Sequence, residues 1–411
     1  MDVLHGCSAG LDVHKATVVA CVRRMLEGGR IEKEVRTFGA TTRELLELSD
    51  WLGQKGVTHV AMEATGVYWK PVWNVMEGRF ELVLANARHI QNVPGRKTDV
   101  KDCEWIAQLM QYGLLSPSFV PERPQRELRD LVRHRVALVE DRTRMANRIQ
   151  KVLEDANIKL GTVATDILGV SGKRMLQGLV DGQKSPEMLA NLAQGRMRKK
   201  VPELTMALEG KVTEHHRFML RLLLQQVDAS DAMVAEVTHR IESLTRPNEE
   251  AVTRLTSIPG IDQRSAQNIL AEIGTDMSRF KTSAHLASWA GICPGNHESA
   301  GKRKTGRTAK GNRWLRRTLC QAAWASTRCR GTYLQAQYRR LAGKRGKKRA
   351  ILAVAHSILT AIHAMLSRNT DYKDLGGGYF DQRNSVAATR NLVRRLEALG
   401  HSVTLQPKAS A

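Results

Sequence analysis

The spacing of apolar and polar residues changes character twice along the chain. Up to about residue 115, short runs rich in Val and Thr (SAGLDVH, ATVVACVRR, EKEVRTF, THVAMEA and ELVLANA) read as five strands. Between the third and fourth, TTRELLELSDWLGQ reads as a helix with Thr42 as its cap, stopping at a glycine. Three strands, helix, strand, helix, strand, helix is the resulting order, and it predicts a mixed α/β sheet.

From 125 to 158, Leu131, Leu138, Met145 and Val152 repeat every seven residues, with Val132, Val139, Ala146 and Leu153 beside them, which predicts a long helix with a coiled-coil seam. Pro121 and Pro124 mark its start and the edge of the first domain. A second long helical stretch runs from 214 to 244. It can fold back on the first or pair with another chain, and a dimer through these helices is the preferred expectation. Beyond 255 the chain reads as mostly helical. AILAVAHSILTAIHAML, residues 350 to 366, is barely long enough to span a membrane, carries His356 and His363 on one face, and reads better as a buried helix. A Gly-rich joint at 376 to 378 leads to a tail with helical apolar spacing. The expected division is 1–120, 121–250, 251–375 and a tail 376–411.

Composition adds a partner. With 64 Lys and Arg against 41 Asp and Glu the net charge is +23, which points to a polyanion held through phosphate contacts and released by salt. Seventeen of those cations, with no acid among them, fall in residues 301 to 349. Six cysteines without zinc spacing read as reduced thiols of a cytosolic protein, and the N-terminus shows no signal-peptide pattern.

Against this basic background four acids stand out. Asp12 lies at the end of the first strand, Glu63 closes the fourth, and Asp99 and Asp102 open a helix three residues apart, on one face. If the first and fourth strands are neighbours, all four meet at one edge. Such a cluster repels itself unless it binds hard cations, and two Mg²⁺ (or Mn²⁺) ions so held suit phosphoryl transfer.

Two later motifs suit nucleic acid. Pro259, Gly260 and Ile261 lie between short helical segments in the manner of a helix-hairpin-helix, which grips phosphates at a helix start. Farther on, HESAGKRKTGRTAKGNRWLRR places Ser299 before Lys302, Arg303, Lys304, Arg307, Lys310, Arg313, Arg316 and Arg317. Taken alone, the serine reads as a phosphate-binding loop residue more readily than as a nucleophile, since a hydroxyl needs a base or an electropositive site to attack. No Walker-type phosphate loop occurs. Trp314, Trp324, Tyr333 and Tyr338, interleaved with the cations, can stack bases, although core packing fits Trp314 and Trp324 at least as well.

The succession GLDVHK, MEATGVYW, KTDVKD, a long helical middle, the PGI hairpin and AGICPGNHESAGKRKTGRTAKGNRWLRRTL resembles the DEDD transposases of the "one-ten" insertion-sequence family, the bridge-RNA-guided recombinases. The resemblance covers roughly residues 7 to 380. It implies a RuvC-like, RNase H-type N-terminal domain whose acids match Asp12, Glu63, Asp99 and Asp102, and a C-terminal transposase domain whose catalytic serine matches Ser299. It also implies a bridge RNA pairing with donor and target DNA, a covalent serine-DNA link, a composite centre across protomers, and a homo-oligomer (a dimer, and a tetramer in the synaptic complex). In one departure, Ala300 and Gly301 follow the serine where glycine directly after it is expected. The implied setting is the bacterial cytoplasm, at the nucleoid and away from membranes. The rivals are a metal-dependent nuclease of the Holliday-junction type, with water as nucleophile, and a non-catalytic architectural protein, for which four placed acids are superfluous.

Overall fold

The computed structural model describes residues 3–64, 66–87, 90, 102–183, 185–295, 297–299, 301–306, 308 and 310–406, with backbone alone at 297–299 and 302–305. Two compact units emerge, residues 1–121 and 122–411.

In the first unit, β1 (Cys7–Val13), β2 (Thr17–Met25) and β3 (Ile31–Gly39) form an antiparallel meander. After α1 (Thr42–Gln54), β4 (His59–Glu63) enters parallel to β1; after α2 (Trp69–Met76), β5 (Glu81–Ala85) adds parallel to β4. The sheet order is β3-β2-β1-β4-β5, so the mixed sheet holds as expected. One detail differs: the cap of α1 is Thr41, not Thr42. Thr41 lies three residues before Glu44, and the two close a reciprocal capping box that Thr42 is one residue too late to make.

The period of two along each strand assigns its faces. Ala9, Leu11 and Val13 of β1 and Val60 and Met62 of β4 share a core with Leu45, Leu48 and Leu52 of α1 and with Val72 and Met76 of α2. The intervening positions meet α3 (Asp102–Gln111): Ala61 packs with Trp105, Ile106 and Leu109, and Ser8 Oγ donates to the Ala107 carbonyl at 3.4 Å. At Gly10 this helix lies directly on the strand. A Cβ there would sit 2.2 Å from the Ala107 nitrogen and 2.3 Å from the Cys103 carbonyl oxygen. Backbone at that distance must shift, so Gly10→Ala is expected to destabilise the unit by about 3 kcal/mol, measurable as a lowered urea midpoint with an unchanged slope. Burial beside α3, reinforced by Cys103, pushes the Cys21 thiol up to about 12.

The second unit starts with α4 (Arg123–Asp155), 33 residues long. A cluster containing α5 (Val170–Val180) and α6 (Val201–Leu208) follows, then α7 (Glu214–Thr245), 32 residues long. Of the two arrangements expected of the long helices, the fold-back within one chain is present. Ile149 and Leu153 of α4 share a core with Leu220, Leu223, Leu224 and Val227 of α7 and with the cluster between them. That shared core turns the chain back, so α7 runs along α4. Arg142 then pairs with Asp231 at 2.5 Å across the hairpin.

The rest is α8 (Glu249–Thr256), α9 (Gln263–Ile273), α10 (Ser283–Trp289), the hairpin β6 (His297–Ser299) and β7 (Lys302–Thr305), then α11 (Arg313–Ser326), α12 (Tyr333–Arg345), α13 (Lys347–Arg368) and α14 (Ser385–Ala398). Helix α13 is long and apolar enough to cross a membrane, but here it packs as a core helix. Its buried residues Ile351, Val354, Ala355, Ile358, Leu359, Ile362 and Met365 recur every three or four positions. Its His363 shares a 2.9 Å hydrogen bond with the Phe280 carbonyl.

Candidate active site

Three of the four predicted acids stand at the same end of the sheet's β1 and β4. The β1–β4 register sets Gly10 opposite Ala61 and Leu11 opposite Met62; one step further, Asp12 lies beside Glu63. By the parity of their strands both face α3. That helix runs against β1, because the Leu4 and His5 N–H groups donate to the Gln111 carbonyl at its end, at 3.0 and 3.1 Å. Its opposite end, where Asp102 begins the helix, therefore lies at the carboxyl ends of β1 and β4. An acid is favoured at that position, since the helix N-terminus carries partial positive charge.

Asp12 and Glu63 are half-buried and Asp102 is exposed. Asp12 Oδ2 lies 3.1 Å from His14 Nε2. Glu104, two residues beyond Asp102, is engaged elsewhere, with Lys33 Nζ at 2.8 Å. Asp99 lies outside the described residues. Among the described residues no three His, Cys, Asp or Glu side chains lie close enough together to hold an ion. The carboxylates at this edge, with the His14 imidazole beside Asp12, nevertheless fit a hard divalent cation through their oxygens.

In the second unit, α8 and α9 are joined through Ile258, Pro259, Gly260 and Ile261. Gly260 has φ +93°, and a Cβ there would lie 2.4 Å from the Ala322 carbonyl oxygen of α11, so the turn is seated on that helix. The Ile261 side chain is buried, its N–H donates to the Ile258 carbonyl at 3.0 Å, and Asp262 caps α9 through the Ser265 N–H.

Ser299 ends β6, opposite Lys302 at the start of β7. Gly301, just before β7, takes φ +72°, a conformation that suits glycine. Neither Ser283 nor Ser288 shares such a setting, since both lie in α10.

The side chains of Lys302, Arg303 and Lys304, and all of Arg307, fall outside the description. Of the remaining predicted cations, Lys310 and Arg313 are exposed, and Arg313 also lies over the Trp314 ring, 4.6 Å from its centroid. Arg316 reaches the Gly291 carbonyl at 3.5 Å, and Arg317 pairs with Glu140 of α4. Trp324 differs from a core aromatic: it is 46% exposed and lies 5.9 Å from the Tyr338 ring.

Sequence reading missed the polar node that anchors this region. Glu272, 1% exposed near the end of α9, accepts Arg133 through both carboxylate oxygens at 2.8 Å and Asn312 Nδ2 at 2.6 Å. Arg129 lies 3.6 Å from it and donates to the Ala271 carbonyl at 3.0 Å and to that of Glu272. A buried arginine thus satisfies carbonyls at a helix end that have no partner inside the helix. Burial brings the Arg129 guanidinium down to about 10. Asn312 also caps α11 through Oδ1, which accepts from Trp314 and Leu315, so the segment leaving the Ser299 hairpin is tied to α9 and, through Arg133, to α4. An asparagine just before a helical run was the available signal. Glu272→Ala leaves two arginines without their anion and is expected to cost about 3–5 kcal/mol, read as loss of urea resistance. A change under 1 kcal/mol would discount the node.

The sequence matches known transposases in both halves. The IS110 DEDD family model, described as Transposase, matches residues 9–158, and the model described as Transposase IS116/IS110/IS902 family matches residues 252–339. The "Transposase for insertion sequence element IS1111A" of Coxiella burnetii is 25% identical, over 76% of this chain and 79% of its own length. The "Insertion element IS110 uncharacterized 43.6 kDa protein" of Streptomyces coelicolor is 28% identical, over 71% of this chain and 76% of its own length. The "Pilin gene-inverting protein" of Moraxella bovis is 29% identical, over 34% of this chain and 45% of its own length.

Proposed function

Because this chain belongs to the IS110 family of transposases, enzymes that act on DNA, we propose that it cuts and rejoins DNA through Ser299, guided by an RNA encoded beside its gene. The observation that carries the reading is the parallel register of β1 and β4, which supports Asp12 beside Glu63 at the carboxyl ends of these strands, the same end at which α3 begins with Asp102. The sheet order β3-β2-β1-β4-β5 supports a RuvC-like, RNase H-type assignment for the first unit. The positive φ of Gly260 and its seat on α11 support a helix-hairpin-helix.

In the first step the Ser299 hydroxyl oxygen attacks a DNA phosphorus. The Oγ–P bond forms, the bond from phosphorus to one sugar oxygen breaks, the serine proton leaves to a base, and the sugar oxygen departs as a hydroxyl. In the second, a hydroxyl from another strand attacks the same phosphorus and returns the serine. One phosphodiester is exchanged for another through a phosphoserine, so no nucleotide is consumed. Asp12, Glu63, Asp99 and Asp102 would hold Mg²⁺ or Mn²⁺, which when bound supplies Lewis-acid polarisation of a phosphoryl oxygen. Lys310 and Arg313, with the cations nearer the serine, hold the DNA or RNA backbone. The protein works as a homo-oligomer, a dimer that becomes a tetramer when donor and target DNA are brought together.

The test incubates the protein with the candidate guide RNA, Mg²⁺ and labelled DNA, followed by denaturing electrophoresis. A protein-DNA adduct that survives denaturation is expected, and it should require the RNA. Cleavage with no adduct would instead identify a metal-dependent nuclease using water.

A further inference from the structure

The α4–α7 hairpin ends in a helical tip, residues 156–213, to which the chemistry proposed above gives no part. Its core is continuous with the arms: Leu160, Leu176 and Leu204 are buried together with Leu153 of α4 and Leu220 of α7. Polar ties fix it as well. Lys173 of α5 donates to Asp228 at 3.0 Å and to Asp231 at 2.9 Å on α7, and His216 Nε2 lies 2.8 Å from Asp155 Oδ2 at the end of α4.

What this mount presents is charge. Residues 159–213 carry nine Lys or Arg against five Asp or Glu, and four of the nine, Arg196, Arg198, Lys199 and Lys200, fall in the single 3₁₀ turn Gly195–Lys200. All four are exposed, and none has a carboxylate partner among the described residues. Four like charges so close repel one another, and phosphates relieve that repulsion while releasing their own counterions. The turn stays level with the far end of α4. Lys200 Nζ donates to the Val163 carbonyl at 3.3 Å, and Gly161 lies so close to α4 that a Cβ there would sit 2.4 Å from Gln150 Nε2.

The neighbours of these cations narrow the partner. Residues 159–213 contain no Phe, Tyr or Trp. Unpaired RNA bases are read by stacking on aromatic side chains, whereas a duplex held through its backbone needs only cations. Position then favours DNA. Arg133 marks the level of the Ser299 hairpin on α4, because Glu272 joins it to Asn312 in the segment leaving that hairpin. From Arg133 to Asp155 the unbroken helix measures about 33 Å, close to one turn of B-form duplex at about 34–36 Å. Between the two levels Arg144, Arg148 and Lys151 are exposed along one face of α4, Arg144 also pairing with Asp141.

We infer that the tip holds the backbone of the DNA duplex about one helical turn from the phosphate under attack. Such a contact sets the position of the duplex and carries no sequence information.

The inference rests on Ser299 as the site of strand exchange, so one arm of its test needs the serine and the other does not. In the serine-independent arm, fluorescence anisotropy follows the full chain binding a labelled DNA duplex of about three helical turns across a range of salt. The combined variant Arg196→Gln, Arg198→Gln, Lys199→Gln, Lys200→Gln is expected to flatten the slope of log K against log salt by about 3, each phosphate contact contributing about 0.9. Arg196→Lys with Arg198→Lys should keep the slope. An unchanged slope in the glutamine variant overturns the inference. The other arm uses the unaltered protein with the candidate guide RNA, Mg²⁺ and DNA, probed by hydroxyl radicals. A protected stretch is expected about ten base pairs from the serine-linked phosphate; unprotected DNA there, or protection on the guide RNA alone, overturns the inference. A flattened slope in a protein that forms no adduct condemns the serine reading alone, and an adduct without the protected stretch condemns the tip contact alone.

Discussion

Ser299→Ala is expected to bind guide RNA and DNA as the unmodified protein does, yet to form no covalent adduct and to lose strand joining by about 10⁴-fold or more. The size of the effect follows from the chemistry. Removing the hydroxyl removes the atom that stores the broken phosphodiester, and water in its place releases the phosphate without saving the bond. Folding should be spared, because the substitution takes one hydroxyl from the end of a short strand at a hairpin turn. Labelled DNA followed on denaturing gels reports adduct and joined product together. If Ser299→Ala still joins strands at the original rate, the serine is not the nucleophile.

Asp12→Asn and Glu63→Gln are each expected to lower strand transfer by about 10³-fold while leaving the fold intact. Both acids are half-buried at neighbouring strand ends on one face. Neutralising either relieves repulsion but removes a ligand oxygen. The second readout is binding itself. Mg²⁺ or Mn²⁺ at saturating concentration should raise the unfolding temperature of the first unit by about 5 °C, EDTA should reverse the rise, and neither variant should respond. A wild-type protein indifferent to both ions, or an active Asp12→Asn, would exclude the acid edge as a metal site.

Much of this is legible in the sequence alone. The first unit's strands and helices could be read in order because each strand is short, bounded by turns and buried in alternation. Placing Thr42 as the cap failed by one residue, since two adjacent threonines carry the same propensity and only the reach of Glu44 to Thr41 separates them. The seam of α4 was visible, but its partner was not. Heptad spacing specifies a face to bury without saying what buries it, and the core shared by residues 149–227 made that choice within the chain. For Trp324 the sequence leaves stacking and core packing both open, because its place in an amphipathic helix does not reveal how little of it the neighbouring elements cover.

The sequence by itself determined the chemistry on offer: four acids in a chain of net charge +23, a serine in a cation-rich loop, and the order of elements in the first unit. Those are properties of residue type and local period, carried by the chain in any conformation. Only the tertiary structure decided which groups share a neighbourhood. Placing Asp12 beside Glu63 depends on a parallel pairing between strands some fifty residues apart, and placing Asp102 at their ends depends on a helix settling over a glycine that has no Cβ to hold it off. The anchoring of Glu272 by arginines far away in the chain, and the hold of Lys173 on Asp228 and Asp231, likewise arise from packing between helices. Pairing and packing over such separations are set by burial of the whole core, which no local stretch of sequence contains.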